Sequence, residues 1–514
     1  MPKNGETDSE TAESEPDGAT SFFCIPEFVV LEIKDFLFAQ VLGIRIFVFL
    51  LQLLFNSWDF STDAFKGVGV DEDELTKLDH LIQRVFAGFK RWDAVHMLHI
   101  AQHEYVFENS LAIFSMAWAT PFVHFGVLHV SSALLISAVA INLGCFVIAA
   151  ALLYRIVQKV SRSVKQAIVA VLLFSANPAS IFFSAAYTES VRQLSIILLY
   201  CMLTFAGICL LLEDRPSFFI RYLGSLLCFS LAYATRSNGL INIGYVGFFC
   251  LIDFLLGVDC EHPRRRLVIF RRPISVIVAR TAAFVMRMFL AVLSISLPIF
   301  IHGRRQQIAF CSQSSTTSVP LTLQRFATEN NLVTVGRTDV IDWCNVSSSI
   351  LPPFYASIQS KYWHVSLFGY WQLRKLPCFI MAAPALFLVV FGARQTWRRV
   401  TSKRSLFRLL AEGGDHVPYT LHAIFMAIGA LFVYNVEVLT RMLFSSSPFP
   451  YLVLARWISD ITPQVRLSDL FVPQPLPFLT YFCRRGLPEF LLYLYLMVYL
   501  VFGTTMHAMW LPFT

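Results

Sequence analysis

The stretch KRWDAVHMLHIAQHEY sets Asp93 directly after a basic pair and a tryptophan and ahead of three histidines, and it stands between two strongly apolar regions. Asp93, His96, His99 and His103 follow at intervals of three, three and four, which lays them along one face of a helix. Zinc would use His99 and His103 at i, i+4, but the HExxH order is absent, and Glu104 follows the second histidine directly. No metal site is therefore expected. An amphipathic helix on the membrane surface, with Trp92 at the headgroups and the histidines in water, accounts for the histidines. It leaves Asp93 unexplained, because a carboxylate between Trp92 and small apolar residues at a membrane mouth is suited to deprotonating a hydroxyl. Asp93 is the candidate general base, and Arg91, Trp92 and His96 are candidate substrate contacts.

Other stretches repeat the pattern of a few polar groups at the end of an apolar run. SANPASIFFSAAYTES breaks one run at Asn177 and Pro178 and starts the next near Glu189; ATRSNGL holds Arg236 and Asn238, with Gly239 supplying turn freedom. NVEVLTRMLFSSSPFPYL carries Glu437 and Arg441 at i, i+4. Arginine suits an anionic phosphate, so Arg236 and Arg441 are candidate phosphate contacts; the alternative for Arg441 is a structural pair with Glu437. In PPFYASIQSKYWHVSLFGYWQLRKLPCF, Tyr355, Tyr370 and Trp371 fit an interfacial belt. Tyr362 and Trp363, beside Lys361 and His364, form its most polar part and could flank a sugar or a polyprenyl chain.

The elements that must position these groups are membrane helices. Among the 514 residues 56% are hydrophobic and only 15% charged, the profile of a multispanning chain. Mean hydropathy is +0.61. About ten spans are expected at roughly 20 apolar residues each: Ile44 to Trp58, His124 to Tyr154, Gln166 to Phe183, Val191 to Leu212, Phe218 to Ala234, Leu240 to Val258, Ala282 to Ile301, Pro377 to Ala393, Pro418 to Val438 and Phe490 to Met506. A further apolar patch runs from Pro450 to Trp457. Basic clusters in YRIVQKVSRSVK, EDRPSFFIR, EHPRRRLVIFRRP and RQTWRRVTSKRSLFR assign those loops to the cytosol. The basic residues thus follow topology, and nucleic acid is not an expected partner. Residues 1–24 read as a disordered cytosolic tail and 25–514 as one multispanning domain with long outer loops at 59–123 and 302–376. The region from Thr440 to Pro488 also falls outside. The sequon at Asn345 lies in the second long loop, which makes it a glycosylation candidate. The 11 cysteines show no CxxC spacing, and no structural disulfide is expected.

RWDAVHML, NPASIFFSAAYTES, ATRSNGL, IQSKYWHVSLFGYWQLRKLPCFIMAAP and VLTRMLFSSSPFPY occur in the order and topology of the GPI mannosyltransferase II family, which the chain resembles from about Arg91 to Tyr451. The resemblance implies an all-α polytopic GT-C-like glycosyltransferase of the endoplasmic reticulum membrane with a luminal active site. It implies transfer of the second mannose, α1,6-linked, from dolichyl-phosphate mannose to the one-mannose glucosaminyl-phosphatidylinositol intermediate by an inverting single displacement. The implied partners are those two lipids, endoplasmic reticulum lipids and a small membrane-protein subunit; no cofactor beyond the lipid co-substrate is expected. Two alternatives stay open: a GT-C mannosyltransferase with a different lipid or protein acceptor, and a lipid transporter or scramblase.

Overall fold

A computed structural model describes residues 27–60, 75–103, 128–185, 196–213, 218–256, 273–311, 321–330, 332–333, 344, 365–402, 416–461 and 486–511. The tail 1–24 and Glu189, Asn345, Tyr362 and Trp363 lie outside the described residues.

Among the described residues all regular structure is helical: α1 (Glu27–Phe55), α2 (Lys77–Val85), α3 (Asp93–His103), α4 (Val130–Ser161), α5 (Val164–Ser175), α6 (Ile196–Leu212), α7 (Phe218–Thr235), α8 (Ile243–Leu256), α9 (Ile274–Cys311), α10 (Leu321–Glu329), α11 (Leu376–Ser402), α12 (Val417–Phe432), α13 (Leu439–Ser446), α14 (Phe449–Ile461) and α15 (Leu487–Ala508). Seven stretches are long and apolar enough to cross a bilayer: α1, α4, α7, α9, α11, α15, and α8 taken with the 3-10 turn before it, Ser237–Leu255; α5, α6 and α12 are shorter apolar helices. They correspond to the ten spans expected from hydropathy. The chain is an all-α, multi-pass membrane protein.

The described residues that flank the basic loops form ion pairs and hydrogen bonds at one end. Lys159 at the end of α4 pairs with Glu213 after α6 at 2.6 Å, and Arg221 donates to the Glu213 carbonyl. Arg287 pairs with Asp253 and lies 4.6 Å from the Phe218 ring. Helix α9, with 38 residues, is about 57 Å long at 1.5 Å per residue and overshoots a hydrocarbon core of about 30 Å. Its far end carries Cys311, which is disulfide-bonded to Cys344. This corrects the expectation of no disulfide: spacing alone hides a partner 33 residues away.

Two spans depart from the hydropathy reading. Gln166 to Phe183 is not one helix, because α5 stops at Ser175 before Asn177 and Pro178, and the chain continues as a buried 3-10 turn, Ser180–Phe183. The guanidinium of Arg45, in the middle of α1, satisfies the backbone freed by that break. It donates to the carbonyls of Ser175 and Ser180 at 2.8 Å each, to Ser184 Oγ at 3.3 Å and to Ser180 Oγ, with Phe146 4.3 Å beneath it. Non-helical backbone at membrane depth is tolerated where protein groups pair it in this way.

The second departure is the Pro450 to Trp457 patch. It belongs to α14, which follows α13 after a break at Ser447 and Pro448. Tyr451 near the start of α14 meets Phe174 near the end of α5 at 5.4 Å, so the two helices run antiparallel. Near the end of α14, the charge of Arg456 reaches His416, as does that of Arg399 at the end of α11. Within the region from Thr440 to Pro488, α14 thus leads from Tyr451 toward the basic end, and the end of α15 lies at the opposite end, where Trp510 meets Trp92.

Candidate active site

The end opposite the basic loops is built from short elements braced on α1 and α4. Thr76 and Asp79 close a capping box on α2, with Thr76 Oγ1 donating to Asp79 Oδ2 at 2.6 Å and Asp79 N donating to Thr76 Oγ1 at 3.2 Å. Asp79 also accepts from the backbone N–H of His129 at 2.9 Å, which ties α2 to the start of α4. Burial alone would raise this carboxyl; hydrogen bonds from Thr76, Ser132 and the Thr76 and His129 backbone outweigh it and hold it down at about 2. Gln52 and Asn56 of the α1 end donate to the carbonyls of Val85 and Arg84 at 2.8 and 2.9 Å.

From that brace the chain enters the candidate motif. Arg91 pairs with Asp59 at 2.9 Å, donates to the Asn56 carbonyl at 2.9 Å and lies 5.4 Å from the Trp510 ring. Trp92 adopts φ 57°, a left-handed conformation that is uncommon for a bulky residue, and packs 5.8 Å from Trp510. That reversal starts α3 at Asp93, where a carboxylate also meets the positive end of the helix dipole.

Asp93 is half exposed and accepts from Arg441 Nη1 at 3.3 Å across 348 residues. Arg441 is almost buried, on α13, with its guanidinium 4.9 Å from the Phe182 ring. Its predicted alternative partner, Glu437, is engaged elsewhere: it accepts from Tyr370 Oη at 2.6 Å and Cys378 Sγ at 3.5 Å. Burial and then these neighbours push the Tyr370 phenol up, which keeps it a donor. The neighbouring Trp371 donates to the Leu431 carbonyl at 2.6 Å and stays exposed, consistent with the interfacial belt.

The remaining candidates divide. His96 is half-buried on α3. His99 is not in water: it is 3% exposed, against Phe326 at 5.4 Å, so α10 docks on α3 there. Among the described residues no group of three or more His, Cys, Asp or Glu could hold a metal ion. Asn177 is consumed by its own turn, donating to the Phe174 carbonyl and accepting from Ala179 N at 2.7 Å. It is a turn residue beneath the site. Arg236 and Asn238 belong to a second polar cluster. Arg236 opens the 3-10 turn Ser237–Asn242 and its charge reaches the buried Tyr200 phenol, while Asn242 Nδ2 donates to Thr204 Oγ1 at 3.1 Å. Gly239 has no alternative here, since an added Cβ would lie 2.6 Å from Tyr233 Cα.

One residue absent from the sequence candidates stands inside the first cluster. His507, in the last turn of α15, is 2% exposed, meets Phe182 edge-on at 5.9 Å and feels the charges of Asp93, Arg91 and Arg441. Its only sequence signal is a histidine and a tryptophan, TTMHAMW, at the end of an apolar run. The assembled groups are a solvent-reachable carboxylate for taking a proton and an aromatic-backed guanidinium for stabilising an anion.

The sequence profile of a family described as Mannosyltransferase (PIG-V) matches residues 33–514. GPI mannosyltransferase pigv-1 of Caenorhabditis elegans is 31% identical over 557 residues, covering 93% of this chain and 81% of that protein. GPI alpha-1,6-mannosyltransferase 2 of Mus musculus is 31% identical over 453 residues, covering 83% of this chain and 84% of the mouse protein. GPI mannosyltransferase 2 of Drosophila melanogaster is 26% identical over 448 residues, covering 83% of this chain and 92% of the fly protein. Among solved structures, the oligosaccharyltransferase of Archaeoglobus fulgidus aligns with a TM-score of 0.40 and 11% identity over 91% of this chain and 55% of that one.

Proposed function

From the premise that this chain belongs to the mannosyltransferase (PIG-V) family, we propose that it transfers the second mannose of the GPI anchor, in α1,6 linkage, from dolichyl-phosphate mannose to the one-mannose glucosaminyl-phosphatidylinositol intermediate. It is a multi-pass membrane mannosyltransferase of GPI-anchor synthesis. The donor and acceptor rest on the family resemblance, and the linkage also on the names of the relatives.

The observation that carries the mechanism is the Asp93–Arg441 pair, half open at the carboxylate and backed by Phe182 at the guanidinium. The acceptor hydroxyl oxygen attacks the anomeric carbon of the β-linked mannose from the face opposite the phosphate. Asp93 takes the hydroxyl proton as the new C–O bond forms. The bond from the anomeric carbon to the phosphate oxygen breaks with its electron pair leaving on dolichyl phosphate, and the configuration inverts. Arg441 stabilises the charge that develops on the leaving phosphate, and Arg236 and His96 stay candidates for contact with the phosphate or sugar. Arg91 and Trp92 shape the floor under Asp93, while Glu189, Asn238, Tyr362 and Trp363 stay candidates for substrate contact.

A luminal site in the endoplasmic reticulum is supported by the disulfide at the far end of α9, since disulfides persist in oxidising compartments. The glycosylation candidate Asn345 directly follows Cys344 in the same loop. Endoplasmic reticulum lipids surround the crossings, and a small membrane-protein subunit is the partner the resemblance leads us to expect.

The test is mass spectrometry of GPI intermediates in membranes from cells depleted of the protein and supplied with dolichyl-phosphate mannose. Accumulation of the one-mannose species, cleared by adding back wild type but not Asp93→Asn, is the expected result. A block at zero, two or three mannoses refutes the acceptor assignment, and clearance by Asp93→Asn refutes the base.

A further inference from the structure

We infer that the turn ending α15, Met506 to Leu511, is a wall of the reacting centre, with His507 the positioning residue that fixes where Asp93 stands. The inference rests on the reading of Asp93 as the base.

The segment from Gly88 to Asp93 is gripped at two points by this one turn. At the first, His507 hydrogen-bonds to the backbone of Gly88. Gly88 itself is pressed between α1 and α15: an added Cβ would lie 2.6 Å from Gln52 Oε1 and 3.1 Å from Ala508 Cβ. At the second, Trp510 packs 5.8 Å from Trp92 and 5.4 Å from the Arg91 guanidinium. The chain after α1 joins the same turn, with Phe60 N donating to the Met509 carbonyl at 3.2 Å. At the second grip Trp92 holds φ 57°, a backbone state that persists only where the surroundings over-determine it. The turn of α15 supplies that constraint, and the reversal at Trp92 aims Asp93.

The same imidazole also underlies the partner of Asp93. His507 meets Phe182 edge-on at 5.9 Å, and Phe182 carries the Arg441 guanidinium at 4.9 Å. One side chain thus touches the supports of both members of the ion pair. Leucine could fill the volume and press on Phe182, but it could not bond the Gly88 backbone. Glutamine could keep an N–H donor near the position of the ring nitrogen.

The test uses the full-length protein in membranes with dolichyl-phosphate mannose and the one-mannose acceptor, comparing His507→Leu, His507→Gln, Gly88→Ala and Asp93→Asn at equal protein amount. His507→Leu and Gly88→Ala are expected to lower kcat by about 10- to 100-fold with KM for both substrates little changed, the signature of a displaced reacting group. His507→Gln is expected to recover to within about threefold of wild type, because it restores the Gly88 bond. Wild-type kcat in His507→Leu together with an inactive Asp93→Asn overturns the inference and leaves the base reading standing. Equal loss of membrane protein and activity in His507→Leu and His507→Gln overturns it too, by reducing His507 to a folding role. Activity in Asp93→Asn removes the reading on which the inference rests.

Discussion

Replacing Arg441 by glutamine separates holding the base from stabilising the leaving phosphate. The Arg441 side chain is 13% exposed and that of Asp93 51%, at 3.3 Å. At that separation two unit charges interact by about 1 kcal/mol in water and about 5 kcal/mol at an effective dielectric of about 20. Half of the carboxylate faces solvent, so the pair belongs near the low end, about 1 kcal/mol, as measured for exposed ion pairs. If Arg441 only held Asp93 in place, its loss would slow transfer by roughly fivefold, since about 1.4 kcal/mol corresponds to tenfold. Removing a donor aimed at developing charge costs roughly 100- to 1000-fold. The proposed mechanism expects the larger loss in Arg441→Gln, and an intermediate one in Arg441→Lys, which keeps the charge but loses the planar face on Phe182. The assay is the initial rate of mannosyl transfer in membranes, normalised to protein amount, with thermal stability measured in parallel. A loss of fivefold or less in Arg441→Gln, or one that tracks lost protein, refutes the phosphate role.

Gly239→Ala should abolish stable expression, because the new Cβ meets backbone atoms of Tyr233 at 2.6 and 2.7 Å and neither can move aside; fluorescence-detected size exclusion reads it directly. Cys311→Ser and Cys344→Ser should each destabilise the protein by up to about 3–4 kcal/mol on loop-entropy grounds, and the double variant by no more than either single one; a thermal shift series checks this against the 33-residue separation. The hydrogen bonds to Asp79 hold its carboxyl at about 2, below the ordinary aspartate value of about 3.9, so its stabilisation is complete above the latter and is lost as pH falls toward 2. Melting temperature should therefore drop across that window in wild type and lack that component in Asp79→Asn.

Long crossings are legible because hydropathy over about 20 residues is a property of the sequence itself. Helix α14 is not, since it has only 13 residues and starts after a break at Ser447 and Pro448. Asp93 and Arg441 stood out as polar groups at the edges of apolar runs, but their pairing spans 348 residues and no local spacing announces it. The i, i+4 rule pointed Arg441 at Glu437 instead, where Tyr370 and Cys378 compete successfully for the carboxylate. Asn177 read as a site residue because it sits at a break; the break itself uses up its amide. His507 and Trp510 carried almost no signal, because a histidine after an apolar run is ordinary until the fold sets it beneath Asp93.

Arg45 bears on how the chain enters the membrane. It lies in the middle of the first crossing, Asp35–Phe55, where an arginine opposes insertion by about 2.5–3.5 kcal/mol and each surrounding leucine, isoleucine, phenylalanine or valine favours it by about 0.3–0.6 kcal/mol. The apolar neighbours outnumber it enough for the helix to insert unaided. Its hydrogen-bond acceptors, however, are 130 to 139 residues further along the chain. At about 5–20 residues per second, roughly 7 to 28 seconds separate the synthesis of Arg45 from that of its partners. For that interval the first crossing holds a guanidinium in hydrocarbon without its native carbonyls, and it stays near the insertion machinery, or draws in water and headgroups, until the broken helix that needs it arrives.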